Sequence, residues 1–528
     1  DKGALSRKYN YQQSAEYFQR MDDFYSQQLK ELSALAFEKL DRQSQVDYIL
    51  MRNLLEKEQY FHRLDFDAYK RLNAVKDFES GLMEFILERR KGAKPDAQAV
   101  AKAMDEVTSK VLDKTTGLSN ANRFGSWQDA DLASKMVGSF RMAVDEAFGF
   151  YKGYDIELSW WLEVPIQKLQ KALRDYEAAL AKHFTNTSVK DDGSGIIGKP
   201  IGRDALIKSL EFEFIPLSPE ALIEIANREF AWCDKEMLKG SEELGFGRDW
   251  KAALEHVKNT YVPPGKWPED IYYLANEAVE FIESRDLITV PELAKETWRM
   301  NMLSPERQLV SPFFLGGESI LIAYPTNTMD HDAKMMSMRG NNPHFSRATV
   351  QHELIPGHHL QQFMNQRYKP YRRAFGTPFW TEGWALYWEF NLWDHDFPRS
   401  AEDKVGMLFW RMHRCARIIF SLNYHLGNMS PQQCIDFLVD RVGHERANAE
   451  AEVRRSFEGS YGPLYQIAYM IGGLQFYELK KELVGSGKMT EKEFHDRILK
   501  ENAMPVELVR AALTDIPLSR DYKTKWKF

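Results

Sequence analysis

The chain has 528 residues, 44% of them hydrophobic and 13% aromatic, which is enough to bury one large core or two joined ones and excludes a disordered chain. A formal net charge of -7, from 70 Lys and Arg against 77 Asp and Glu, gives no electrostatic footprint for a phosphate backbone or an anionic lipid surface, so no nucleic acid partner is expected. Cys233, Cys415 and Cys434 are too few for a disulfide framework and too far apart for a Cys-x-x-Cys pair.

From about Ala15 to Ala103 apolar residues recur at helical spacing, as in Phe18, Met21, Tyr25, Leu29 and Leu32, and predict successive amphipathic helices. The segment Thr185 to Asp204 is rich in Asn, Ser and Asp and holds Gly193, Gly195, Gly198 and Gly202. It reads as an exposed loop dividing one large catalytic unit into a helical lobe, 1–190, and a second lobe, 204–528, that carries the metal. Ser218-Pro219-Glu220 is a helix start, and a helix to about Leu238 follows from it. Ser319 to Tyr324, closed by Pro325, is short, apolar and partly β-branched, as a strand would be. The expected fold is therefore mainly α, with a small antiparallel sheet near the active site. No stretch approaches the roughly 18 uninterrupted apolar residues of a membrane span, so a soluble chain without a transmembrane segment is expected. The chain opens on Asp1, which leaves an exported origin with a removed signal and a cytoplasmic origin both open. Oligomeric state is not readable.

The decisive segment is Gln351-His352-Glu353-Leu354-Ile355-Pro356-Gly357-His358-His359-Leu360. In the ordinary His-Glu-x-x-His arrangement, two histidines four apart share a helix face and grip zinc while the adjacent acid takes a proton from the bound water. Here the next histidine is six residues on, and about 600° of helical rotation points it away. His359 regains the face but sits roughly 10.5 Å along the axis, beyond the reach of zinc bonds of about 2 Å. A distortion is required. Pro356 lacks the amide that would bond the His352 carbonyl, and Gly357 can take conformations closed to other residues. A bulge there returns His358 to the second ligand position and turns His359 elsewhere, toward substrate. The choice between the two histidines stays open.

With 13 histidines and 77 acids, roughly 0.2 such matches arise by chance in a chain of this size. His444-Glu445 begins similarly but lacks a second histidine, and reads as a solvated helix face. What strengthens the first motif is Thr381-Glu382-Gly383-Trp384-Ala385-Leu386-Tyr387-Trp388-Glu389, an apolar helix carrying a carboxylate that needs a cation or hydrogen bonds if buried. Metal ligation by Glu382 completes a set of two histidines and one carboxylate; the alternative is an ion pair with Arg372 or Arg373.

HELIPGHHLQ together with TEGWALYWE resembles the bacterial domain-of-unknown-function 885 family, which is similar to gluzincin metallopeptidases. The likeness covers mainly residues 310 to 480. It implies a large multi-helix cleft or channel-shaped fold, zinc on His352, His358 and Glu382, and kinship with helical carboxypeptidases and dipeptidases. Arg417 to His425, Met429-Ser430-Pro431 and Ala468 to Gly472 also match. Three departures stand out: Ser421 to Tyr424 replaces an Asp-x-Gly pattern before His425, Gly462 to Tyr465 replaces a Pro-Gly-Gln run, and Leu386 stands where gluzincins place an acid. Glu389 or Asp394 is expected to orient a ligand histidine instead.

The expected chemistry is hydrolysis of short peptides: zinc acidifies its water and polarises a carbonyl, and Glu353 moves the proton to the leaving amine. Tyr469 or His425 is expected to face the oxyanion, and Arg417, His359 and Tyr324 to contact substrate. Against this stand the ordinary roles of core tyrosine, structural histidine and paired arginine. Hydrolysis of nonpeptide amides or esters uses the same residues. A noncatalytic zinc-stabilised binding protein would need no acid at Glu353.

Overall fold

The structure, a computed structural model, describes residues 2–9, 11–88, 92, 94–118, 123–184, 191–308, 316–459 and 461–528. Two compact units are present: Asp1–Ala36 with Arg52–Lys190, and Phe37–Met51 with Asp191–Phe528. Among the described residues no helix is long and apolar enough to cross a membrane.

The first unit is built on three long helices, Ala97–Gly117, Trp127–Tyr151 and Ile156–Leu180. Each begins at a polar cap: Asp96, Ser126 and Asp155 accept the N–H groups of Ala99, Asp129 and Leu158, satisfying amides that no helical carbonyl reaches. Their inner faces recur at helical spacing and join one apolar cluster, as with Met104, Val107 and Val111 or Val137, Phe140 and Val144. The helix Ala15–Ser33 buries Phe18, Met21 and Tyr25, with Leu29 and Leu32 half-buried beside them, as the spacing predicts. Of the loop expected over 185–204, residues 185–190 lie outside the described residues, and 191–202 carry neither helix nor strand.

In the second unit the helix Pro219–Glu243 starts where predicted, with the Ser218 hydroxyl accepting Ala221 N–H. It runs past Leu238, where Gly240 and Ser241 are still buried, and it stops just before the left-handed Gly245. The sheet is a correction. Strands β1 (Arg299–Met302) and β2 (Ser319–Ile322) are parallel, in register from Arg299 opposite Ser319 to Met302 opposite Ile322. The connection, 303–318, is far longer than a hairpin turn and long enough for a crossover. Ile320 and Ile322 point into a cluster with Trp267, Ile271 and Val350, and Tyr324 lies beyond the strand end.

Six helices position the site: α1 (Pro343–Glu353), α2 (His358–Asn365), α3 (Pro378–Asp394), α4 (Ala401–His425), α5 (Arg446–Phe457) and α6 (Tyr465–Lys480). From Phe379 to Leu392 only Thr381 of α3 escapes full burial, as expected of a helix that is apolar all round. It packs extensively on α6, and two glycines make that approach close. A Cβ on Gly383 would lie 2.6 Å from the Gly472 backbone, and one on Gly472 would lie 2.3 Å from the Phe379 carbonyl oxygen.

Candidate metal centre

α1 ends at Glu353. Leu354 leaves the helical region at φ -109° and ψ -107°, Pro356 has no N–H to continue the ladder, and Gly357 folds back so that its N–H donates to the Gln351 carbonyl at 3.0 Å. A Cβ on Gly357 would lie 1.8 Å from the His352 carbonyl oxygen, so only glycine fits. Trp384 Nε1 donates to the Pro356 carbonyl at 2.9 Å and fastens the loop to α3. The distortion is thus a complete break, with His358 opening a new helix.

The break brings the two imidazoles together at right angles, ring centres 4.9 Å apart. Their Nε2 atoms lie 3.6 Å (His352) and 3.2 Å (His358) from Glu382 Oε2, and one donor atom from each of the three residues falls within 4.8 Å of the others. A tetrahedral ion with bonds of about 2.0–2.2 Å holds its donors about 3.3 Å apart, so these separations suit one. His358 is the residue brought beside His352. His359, about 100° further round the helix, turns to the carbonyls of Gly317 and Ala294 at 3.2 and 2.9 Å.

Two of the three donors are held from behind, while the Nδ1 of His358 is buried and makes no hydrogen bond among the described residues. Glu389 Oε1 lies 2.7 Å from His352 Nδ1, which leaves Nε2 to face the metal position; Asp394 instead accepts from Tyr477. Tyr465 donates to Glu382 Oε1 at 2.5 Å. Arg372 is committed to Asp47 at 2.7 Å and Glu501 at 2.5 Å, so it does not neutralise Glu382. Burial opposes the Glu382 charge, yet His358 and His352 hold its carboxyl well below the usual range. Burial likewise works to strip His352 of its proton, but Glu382 and Glu389 raise it to about 9. Two buried carboxylates therefore draw positive charge to this point, and a divalent cation on two imidazole nitrogens and one carboxylate oxygen meets that demand.

The triad opens on a cavity of about 330 Å³, which Glu353, Tyr469, Arg414, Arg417 and Arg455 also line. Burial pushes the Glu353 carboxyl up, opposed by the two histidines. Its carboxylate packs where Gly316 leaves room, since a Cβ there would lie 2.1 Å from Oε2. The Tyr469 ring stacks on His352 at 6.2 Å between centres, and the guanidinium carbons of Arg414 and Arg417 each lie 4.5 Å from its centre.

A family model described as a bacterial protein of unknown function (DUF885) matches residues 6–513. The chain belongs to the DUF885 family. Two solved structures are similar to this DUF885 chain. One is a candidate lipoprotein of unknown function from Shewanella oneidensis, with 17% identity, TM-score 0.71 and 97% of each chain covered. The other is a candidate lipoprotein from Colwellia psychrerythraea, with 18% identity, TM-score 0.54, and 79% of this chain and 74% of that one covered. At these identities the likeness is one of fold. No curated protein matches.

Not every residue anticipated from the DUF885 sequence converges on the cavity. His425 is buried beside Tyr424 and Phe457; it follows Arg417 by eight residues, about 12 Å along α4, and is not among the lining residues. Tyr324 donates to the Val262 carbonyl at 2.7 Å and stacks on Trp267, also away from the lining. His444 is not a solvated helix face: it is buried, precedes α5, and lies 2.8 Å from His413 Nδ1 through Nε2. Sequence reasoning missed Tyr465, Arg414, Arg455 and Glu452. The first three line the cavity, and Glu452 binds Arg417 Nε at 2.7 Å.

Proposed function

We propose that the protein is a zinc-dependent hydrolase, a metallopeptidase cleaving short peptides. The observation that carries this reading is the acid Glu353 lining the same cavity as three converging donors. A structural zinc site closes its shell with a fourth protein ligand and needs no such acid, whereas among the described residues the donor group has three members. Zinc bound there supplies an acidified water and a Lewis acid for the substrate carbonyl. The Glu353 carboxylate makes no hydrogen bond among the described residues, and it takes a proton from the attacking water and delivers it to the leaving amine. Burial keeps the Tyr469 hydroxyl protonated. That hydroxyl also makes no hydrogen bond among the described residues, and from the cavity wall it donates to the developing oxyanion. Tyr465 and Glu389 hold Glu382 and His352 in place.

The test is Glu353→Gln, assayed for metal content by mass spectrometry and for turnover on a dipeptide and acyl-peptide library. Metal is expected to remain while kcat falls roughly 10²- to 10⁴-fold. Normal turnover by this variant, or a purified wild type that neither contains nor takes up zinc, refutes the reading.

A further inference from the structure

With a divalent cation on the triad, the cavity carries more positive charge than the carboxylates around it neutralise. Glu452 of α5 accepts from Arg417 Nε at 2.7 Å and from Gln466 Nε2 at 2.8 Å, and its other oxygen lies 2.9 Å from Arg455 Nε. Burial opposes its charge, yet Arg417 and Arg455 hold it down at about 2. Glu452 is thus occupied in fixing two guanidiniums. Among the described residues the one carboxylate within 4.0 Å of Arg414 is Glu389, at 3.7 Å, and that oxygen is already engaged by His352 Nδ1; Glu382 and Glu353 act on Arg414 from further off. Arg414 Nε and Arg417 Nη1 are buried and make no hydrogen bond among the described residues. Leaving such donors unmet is costly. With a divalent cation bound, these three guanidiniums and the cation outweigh Glu353, Glu382, Glu389 and Glu452 by one charge, and Arg307, which also lines the cavity, adds another.

We infer that Arg414 and Arg417 receive the free C-terminal carboxylate of the peptide, which makes the protein an exopeptidase acting one or two residues from the C-terminus. The inference rests on the peptidase reading above. Distances allow it: through Glu389, Arg414 Nη2 is at most 6.4 Å from His352 Nδ1, and a cation on the far nitrogen of that ring lies about 4 Å beyond it, so Arg414 is within about 10–11 Å of the metal position. Corresponding backbone atoms of successive residues are about 3.8 Å apart, so a carboxylate one or two residues past the scissile carbonyl lies about 4–7 Å from it. The volume agrees. About 330 Å³ is roughly eleven waters' share of liquid, room for a short peptide end. Guanidinium forks match carboxylates in geometry as well as charge.

The experiment is calorimetric titration of the Glu353→Gln protein with alanyl-leucine and with alanyl-leucinamide, which lacks the terminal charge. The free acid is expected to bind roughly 10- to 100-fold more tightly. Arg414→Lys and Arg417→Lys, each checked for folding by circular dichroism, are expected to bring the acid toward the amide and leave the amide unchanged. Equal affinities, binding of neither compound, or an equal loss for both in the lysine variants overturns the inference. Wild-type turnover separates the two readings. Selective binding of the acid without hydrolysis of any peptide removes the peptidase and keeps the carboxylate site; equal cleavage of free and amidated peptides does the reverse.

Discussion

Glu389→Gln removes a charge while keeping the shape of the side chain that orients His352. Its oxygen lies 2.7 Å from Nδ1, and a cation on the far nitrogen of that ring sits about 7 Å from it when its own bond is about 2 Å. At an effective dielectric of about 20, a divalent charge and a carboxylate at that distance interact by about 5 kcal/mol. Part of this is offset, because the buried carboxylate has given up its hydration and Arg414 lies 3.7 Å away. The amide oxygen of Gln can still accept from Nδ1. The expected net effect is a loss of about 10- to 100-fold in zinc affinity, or about 1.4–2.7 kcal/mol. Competition against a chromophoric chelator measures it, with circular dichroism as the folding control. A dissociation constant within twofold of wild type would show that Glu389 does not support the metal and that the donor geometry has been misread.

Gly357→Ala places a methyl group 1.8 Å from the His352 carbonyl oxygen. Since backbone on both sides must move, a loss above the usual overpacking cost of about 1–3 kcal/mol is expected in urea unfolding, together with loss of bound metal. Unchanged stability would mean that the break between α1 and α2 adopts another form. Stability is also expected to fall in mild acid. Burial holds His444 at about 3 and His425 and His495 at about 4, against about 6.5 in the unfolded chain. Below pH 6.5 the unfolded chain therefore binds protons that the folded one refuses, and stability present above that pH is lost as pH drops toward 4. Each group contributes about 1.4 kcal/mol per pH unit. Urea midpoints that stay flat between pH 7 and pH 5 would contradict this.

The metal donors were legible because their chemistry is local: a histidine–acid pair, a Pro-Gly interruption, and an acid within an apolar helix. Sequence spacing also showed that an unbroken helix fails, though not that the helix divides in two. The arginine wall was harder to see. Arg414 and Arg417, three apart on α4, look like any helix face, and what fixes Arg417 at the cavity wall is Glu452, 35 residues beyond it and paired with it only through folding. Tyr465 was hidden for a similar reason. It meets Glu382 because Gly383 and Gly472 let α3 and α6 nearly touch, and a contact between two distant glycines leaves no periodic trace. The strand was visible in Ser319 to Ile322, but its partner, Arg299–Met302, is mostly exposed and has no apolar alternation to announce it. Pairing direction depends on the connection rather than on either strand.

Because His358 begins a helix of its own, the gap between the two imidazoles is set by the four residues Leu354 to Gly357 and their bond to Trp384, not by helical pitch. Ligand spacing is thereby uncoupled from the periodicity that constrains an uninterrupted helix. Changing the length of that short segment would retune which ion the cage prefers, compact tetrahedral or larger and more highly coordinated, without replacing a single donor.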